Sequence, residues 1–486
     1  MVSPLSGEGG SAREAALECL RRVDRGEVFL RDELHAIFDR LGLEPRDRAL
    51  ATQLATGVVR HRRTLRLVLS HVRGRSTQRL STGGRGRQFE IQASLRRILE
   101  LGAFQLLFLD RVPAYAAVNE AVRQAQAARR GAEKAGGFVN AMLRGVARLV
   151  RERRPDGRPA PDAIPHPEGG VVQLKEPILP DPKDGLAAFL GTAYSYPDWL
   201  VARWLTSFGP KEAEQVCRWS NRRPKTFARV NPPHAAARRE PLGRATAHAG
   251  SAPFHEPLAP GFAGAEPGPR PGTYDVSPLP VERLEELLAA GALTVQDPSA
   301  MAPVEALAPQ PGESVLDFCA SPGTKTTQIV EAMADRGRIV ACDRREEKLE
   351  PIRRTVAARG LASVTVCLSD EAASAAPPGG FDAALVDAPC SNTGVLARRV
   401  EARWRLRPED LEELPRIQSV LLGRAAGLVR PGGRIVYATC SLQREENEEV
   451  VKAFLAANPS WRLVRSDLIL PGPDHDGVFW ALFRRA

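Results

Sequence analysis

The stretch SVLDFCASPGTKTTQIV, Ser314 to Val330, reads as a buried strand, a turn of small residues and the opening of a helix near Thr326. Four more apolar runs follow at helix-sized intervals: RIVACD (338–343), SVTVCLSD (363–370), FDAALVDAP (381–389) and RIVYATC (434–440). Strands apolar on both faces and alternating with helices specify a parallel sheet covered on each side, so the chain from about Leu293 to its end reads as an α/β domain. Ligands on such sheets bind at the carboxyl ends of the strands.

Upstream the pattern changes. From Ala12 to about Val150 apolar residues recur at helical spacing, as in AALECLRRV and LRRILELGAFQLLFL, which predicts an all-helical bundle over 11–150. Within it Arg73–Gln88, RGRSTQRLSTGGRGRQ, reads as a charged Gly/Ser loop. Residues 151–186 are Pro/Gly-rich and aperiodic, the signature of a linker. Residues 187–292 form a further subdomain before the sheet, interrupted at 232–273 by a Pro/Gly/Ala-rich insertion. The expected class is therefore α followed by α/β, with the mostly parallel sheet in residues 293–486.

The chain has 486 residues and a formal net charge of +10. Residues 1–150 carry 26 Lys/Arg against 15 Asp/Glu, and the rest is close to neutral. Arginine bias alone does not segregate charge in this way; a basic first third suggests a polyanionic partner such as nucleic acid. No run approaches the roughly 20 apolar residues of a membrane span, and the N-terminus lacks the pattern of a secretory signal. A cytoplasmic protein without a membrane partner is expected. Seven cysteines, an odd number without a C-x-x-C pair, argue against a zinc site or a disulfide framework.

The candidate site collects at the strand ends. Cys319, Ala320, Ser321, Pro322, Gly323, Thr324 and Lys325 make a small-residue turn that lets a backbone approach a ligand closely at a helix N-terminus. Asp343 ends the second strand, where an acid accepts hydrogen bonds from a ribose diol, and Asp370 ends the third, where it meets an adenine edge. The competing role for either acid is a helix cap. Turn and acids in this order suit S-adenosylmethionine. The fourth strand brings Asp387 and Cys390 in DAPCSNTG, and the fifth brings Cys440 in ATCSLQREEN. Thiols just past strand ends stand where substrate would lie. Carbon 5 of a pyrimidine becomes reactive enough to take a methyl group once a thiolate has added to carbon 6, and an acid such as Asp387 stabilises the charge that develops. Spacing alone leaves open which cysteine attacks.

CASPGTK, DAPCSNTG with the following RRVEARW, and TCSLQREENEEVV resemble the Nol/Nop/Sun family of RNA 5-methylcytosine methyltransferases. RVN (Arg229–Asn231) and VQDPSA (Val295–Ala300) look like the family's preceding motifs, while RDRALATQLATGVVRHRRTL and GGFVNAMLRGV resemble a NusB-type RNA-binding domain. The resemblance implies a Rossmann-type methyltransferase domain, Cys440 as nucleophile, Cys390 assisting product release, and S-adenosylmethionine held by Cys319–Lys325, Asp343, Asp370 and Asp387. DNA cytosine methyltransferases instead attack with the cysteine of a PC motif. It further implies a monomer acting on RNA, small-subunit (16S) ribosomal RNA above all, and not on DNA. Transfer RNA as substrate, or a non-catalytic RNA-binding factor, are the alternatives. Thr324 departs from the family's commoner glycine, Ala300 from its serine and His234 from a basic residue.

Overall fold

The computed structural model describes residues 11–26, 28–80, 92–127, 132–231 and 264–486. They divide into two compact units: Met1–Arg223 with Arg399–Arg405, and Pro224–Arg398 with Leu406–Ala486.

The first unit begins with seven helices, Ala12–Val23, Leu30–Leu41, Pro45–Arg60, Arg62–Leu80, Ala93–Phe108, Ala114–Ala127 and Ala132–Leu149. The first opens on a capping box, with Ser11 Oγ accepting from the Glu14 N–H and the Glu14 carboxylate accepting from the Ser11 N–H. Helix Ala93–Phe108 is buried at every position from Ile98 to Phe108, so it forms the centre of the bundle. The expected loop at 73–88 begins later than its composition suggests: Arg73 to Leu80 continue the fourth helix, and residues 81–91 lie outside the described residues.

The stretch read as a linker carries ordered structure. Strands β1 (Val150–Arg154), β2 (Ala163–Pro165) and β3 (Val171–Leu174) pair antiparallel in the order β1-β3-β2. Ile164, Val171 and Val172 are buried, which gives these short strands an apolar face despite the flanking prolines and glycines. Helices Leu186–Ala193, Asp198–Phe208 and Pro210–Trp219 follow. The unit is completed by the distant segment 399–405, read above as part of the catalytic motif. Arg403 is fully buried there, its guanidinium 4.3 Å from the Tyr196 ring centre and donating to Asn221 Oδ1 at 2.6 Å and to the Ser220 carbonyl at 3.1 Å.

The second unit opens with a small antiparallel sheet, β4 (Phe227–Val230), β5 (Glu266–Pro267), β6 (Thr273–Asp275) and β7 (Leu293–Val295), in the order β5-β6-β4-β7. Of the expected insertion at 232–273, the end contributes β5 and the start of β6, and 232–263 lie outside the described residues. The main sheet has seven strands: β8 (Ser314–Phe318), β9 (Arg338–Asp343), β10 (Val364–Leu368), β11 (Phe381–Asp387), β12 (Val429–Thr439), β13 (Trp461–Ile469) and β14 (Val478–Arg485). Their order is β10-β9-β8-β11-β12-β14-β13; the first five run parallel, and β14 is antiparallel to both β12 and β13. Apolar clusters cover both faces, Leu316, Phe318 and Tyr437 on one and Val315, Leu385 and Val436 on the other. The strand order reverses between β8 and β11, which opens a crevice beyond their carboxyl ends. Among the described residues no helix is long and apolar enough to cross a membrane.

Candidate active site

The turn after β8 is held by backbone pairing. The Cys319 and Ala320 N–H groups both donate to the Cys342 carbonyl of β9, at 3.0 and 2.9 Å, and Gly323 N donates to Ala320 O at 2.7 Å. Cys319 (φ +85°) and Gly323 (φ +103°) adopt left-handed conformations, and the Ser321–Pro322 bond is cis. The helix opens at Thr324, two residues earlier than expected, and Gly323 rather than the Thr324 side chain occupies the cap position. Burial first, then Asp343, Asp387 and Asp317, push the Cys319 thiol far above its ordinary range, so it stays protonated.

Asp343, at the end of β9, is buried; its Oδ1 accepts from the Arg344 N–H at 2.7 Å, with Lys348 Nζ at 3.7 Å. Asp387, at the end of β11, receives Lys325 Nζ at 2.5 Å. Burial pulls the Lys325 ammonium down, but Asp387 and the neighbouring Cys440 and Asp317 more than offset it and the net shift is upward. Asp370 does not join this group: 88% of its side chain is exposed and Arg424 Nη2 lies 2.7 Å away.

Sequence reasoning missed Asp317, inside β8. One carboxylate oxygen accepts from Thr326 Oγ1 at 2.6 Å, while the other is buried without a hydrogen-bond partner. Burial raises this carboxyl to about 6, against the pull of the Thr326 hydrogen bond. A lone acid within an apolar strand was the signal that marked it. Asp317, Asp343 and Asp387 together outnumber Lys325 and Lys348, a donor set that suits a ligand carrying cationic centres and a ribose; the orphaned Asp317 oxygen fits the same group. S-adenosylmethionine, with its sulfonium, ammonium and ribose, has that chemistry.

The two motif cysteines are brought together. Strands β11 and β12 are adjacent and parallel, with Asp387 opposite Ala438, so the residues that follow them meet. Cys390 Sγ lies 3.1 Å from Cys440 Sγ, a non-bonded contact between free thiols. Cys390 keeps its proton: its hydrogen bond with Cys440, burial, and the Cys440 and Glu446 charges push its thiol well above the ordinary range. Asn392, in a left-handed conformation (φ +60°), donates to the Cys390 carbonyl at 2.8 Å and has Oδ1 3.4 Å from Cys440 Sγ.

Glu446 ties the two cysteine loops to each other. Buried completely, its carboxylate accepts from Ser391 N (2.8 Å), Ser391 Oγ (2.5 Å), Gln418 Nε2 (3.0 Å) and Ser441 Oγ. Asn447 accepts from Thr439 Oγ1 at 2.6 Å and donates to Ser441 O at 2.9 Å. Gly394 N donates to Cys440 O at 2.8 Å; a Cβ there would stand 2.6 Å from Gly477 O and 2.9 Å from Cys440 O, so this close backbone approach requires glycine. Arg398 closes the Cys390 loop by bridging Asp476 (2.6 Å) and Asp297 (2.9 Å).

The polar residues Arg229, Asn231 and Gln296 of RVN and VQD face inward, while Val230 and Val295 are exposed. Arg229 is buried and donates to Gln296 Oε1 (2.5 Å), Thr327 Oγ1 (3.1 Å) and Thr324 O (3.1 Å), with Glu331 as its ion-pair partner. Burial, then Arg359, lower its guanidinium to about 9. These residues position the helix that follows the turn at Cys319–Lys325.

A seven-stranded sheet of this order, with a small-residue turn, acids and paired cysteines at its reversal point, defines a Rossmann-type methyltransferase domain. A family model described as 16S rRNA methyltransferase RsmB/F matches residues 304–475, the NusB family matches 10–148, and a ferredoxin-like domain of RsmF/B-like methyltransferases matches 196–242. The chain is 33% identical over 456 residues to the probable ribosomal RNA small subunit methyltransferase B of Synechocystis sp., covering 93% of this chain and 90% of that one. It is 30% identical over 484 residues to ribosomal RNA small subunit methyltransferase B of Yersinia pestis, covering 96% and 97%. The crystal structure of PH0851 shares the fold over 98% of both chains, with a TM-score of 0.68 at 22% identity. The chain belongs to the RsmB/F methyltransferase family.

Proposed function

We propose that the protein methylates carbon 5 of a cytidine in small-subunit ribosomal RNA, with S-adenosylmethionine as methyl donor and Cys440 as covalent nucleophile. The observation that carries this reading is the 3.1 Å approach of Cys390 and Cys440 beside Asp387, at the carboxyl ends of β11 and β12. Both relatives named above are ribosomal RNA small subunit methyltransferases by name, which supports the choice of RNA.

Asp317, Asp343 and the turn Cys319–Lys325 hold the cofactor, which supplies an electrophilic methyl group. Cys440 Sγ adds to carbon 6 of the cytosine as its proton passes, through the Lys325–Asp387 pair, to the ring nitrogen, which makes carbon 5 nucleophilic without leaving negative charge on the ring. Carbon 5 takes the methyl group and then loses its proton to a base, and the bond between carbon 6 and Cys440 breaks as the ring double bond reforms. Cys390, protonated against Cys440, assists that release. Asp370 contributes to the adenine end from the rim.

Transfer of radiolabelled methyl groups to separated RNA classes tests the reading. Label is expected in small-subunit RNA as 5-methylcytidine. Label in transfer RNA alone would move the substrate, and no label in any class would leave a non-catalytic RNA-binding factor.

A further inference from the structure

The first unit holds a cavity of about 400 Å³, within the roughly 300–1,000 Å³ of small-ligand sites, that the methylation chemistry does not use. Its wall comes from three places distant in sequence: His61 of the helical bundle, Arg158 and His166 from the β1–β3 region, and Lys211 and Arg218 of helix Pro210–Trp219 with Arg222 just beyond it. The outer and inner parts differ in chemistry. Arg158, Lys211 and Arg218 are exposed and Arg222 is half-buried; among the described residues none of the four has an ion-pair partner. The Arg218 and Arg222 guanidiniums lie 5.1 and 4.7 Å from the Trp219 ring centre, which holds two like charges together without a carboxylate between them. The one lining carboxylate, Glu214, accepts instead from Tyr194 OH at 3.1 Å.

Inside, His61 is only 2% exposed, its ring centre 4.4 Å from that of Phe108 in a tilted contact and 6.0 Å from that of Phe104 in a stacked one, and neither ring nitrogen has a hydrogen-bond partner. Burial, then Arg60, Arg403 and His166, push the imidazole well below its ordinary range, so it is neutral and offers one donor and one acceptor. A buried polar ring left without partners is costly unless something in the cavity completes it. A hydroxyl can complete either nitrogen, donating to the bare one or accepting from the protonated one, and the cations of the outer part call for an anionic group beside it.

We infer that this cavity is a ribonucleotide site: it takes one nucleotide of single-stranded RNA, with its phosphate against Lys211, Arg218 and Arg222 and its ribose hydroxyl against His61. The 2′-hydroxyl is both donor and acceptor and is what separates RNA from DNA. The site rests on the reading of RNA as substrate but is separate from the cysteine centre, and it gives the first unit a means of recognising RNA beyond net charge.

The test uses the full chain with cytidine 5′-monophosphate and with matched ribo- and deoxyribo-oligomers of ten cytidines. Adding the mononucleotide should shift the ring-nitrogen NMR signals of His61. The parent should prefer the ribo-oligomer, His61→Phe and His61→Gln should each lose that preference, and the triple variant Lys211→Gln/Arg218→Gln/Arg222→Gln should bind more weakly with a log–log salt slope shallower by about 0.7, the worth of one single-strand phosphate contact. Unmoved His61 signals, or an unchanged ribo-preference in both His61 variants, would overturn the site and leave a water-filled cavity. If the parent methylates RNA while His61 stays silent, the pocket fails and the methylation reading stands. A shift of His61 with the mononucleotide in a chain that methylates no RNA supports the pocket and removes the reading it was built on.

Discussion

At the scale of single residues, the two cysteines should fail in opposite ways. Cys440→Ala is expected to abolish methyl transfer and leave no RNA adduct, because carbon 6 is never attacked; Cys390→Ala should still attack and transfer, release slowly, and accumulate an RNA–protein band on a denaturing gel. Exchanged outcomes would make Cys390 the nucleophile. Asp343→Ala should weaken S-adenosylmethionine binding by on the order of 1.5–3 kcal/mol in a calorimetric titration, the worth of a charge-assisted hydrogen bond. Asp317 gives a pH signature. Its carboxyl is raised from 3.8 to about 6, so between those values the folded chain binds more protons than the unfolded chain. Stability conferred by this group is therefore present at low pH and is lost as pH rises through that window. Asp317→Asn should remove the loss, stabilising the second unit at pH 8 by about 2–3 kcal/mol while lowering cofactor affinity. Thermal melts of both chains at pH 4.5 and 8 measure it; an equal difference at the two pH values would mean that the carboxylate is not strained by burial. The paired cysteines were legible because their motifs are local. Asp370 was legible as an acid just past β10, but position after a strand does not reveal that Arg424 is its partner.

At the scale of elements, the five parallel strands were readable from their apolar runs, since burial on both faces removes polar residues from the sequence itself. What holds the loops was not. Ser391 and Glu446 meet across 55 residues because β11 and β12 are neighbours, and strand order is a property of the sheet rather than of any segment. Strands β1–β3 escaped notice because three to five residues framed by proline, glycine and charge carry too little periodicity to separate from a linker. The RVN motif illustrates the same limit, for nothing in its sequence says that its arginine is spent inside the protein. Arg229→Met should strip Glu331, Gln296 and Thr324 of a shared donor, costing about 3 kcal/mol in a thermal or denaturant melt, and should loosen cofactor binding through the displaced helix. A variant as stable as the parent would show that Arg359, 3.1 Å from Glu331, suffices alone.

At the scale of the whole molecule, the basic first third is less free than its composition suggests. Asp24 accepts from both Arg62 (2.6 Å) and Arg97 (2.9 Å), and Glu100 from Arg66 (2.7 Å), so part of the positive charge stabilises the bundle before any partner arrives. The first unit also depends on a segment that the sequence assigns elsewhere. A fragment ending at Arg223 lacks Arg403, which leaves the Ser220 carbonyl without that donor and Asn221 Oδ1 with Tyr196 OH alone. It should lose on the order of 3 kcal/mol, about 6–12 °C in melting temperature for a unit of this size, and regain it when residues 399–405 are supplied as a peptide; equal melting with and without the peptide would make the segment a passenger. In the cell the same dependence sets a timetable. The ribosome finishes residue 223 and must add some 180 more before Arg403 emerges, on the order of ten to forty seconds at 5–20 residues per second. Through that interval the nascent helical unit waits with an unfilled slot, exposed to chaperones and proteases, and the chain's first-made part cannot be completed until its cysteine motif has left the exit tunnel.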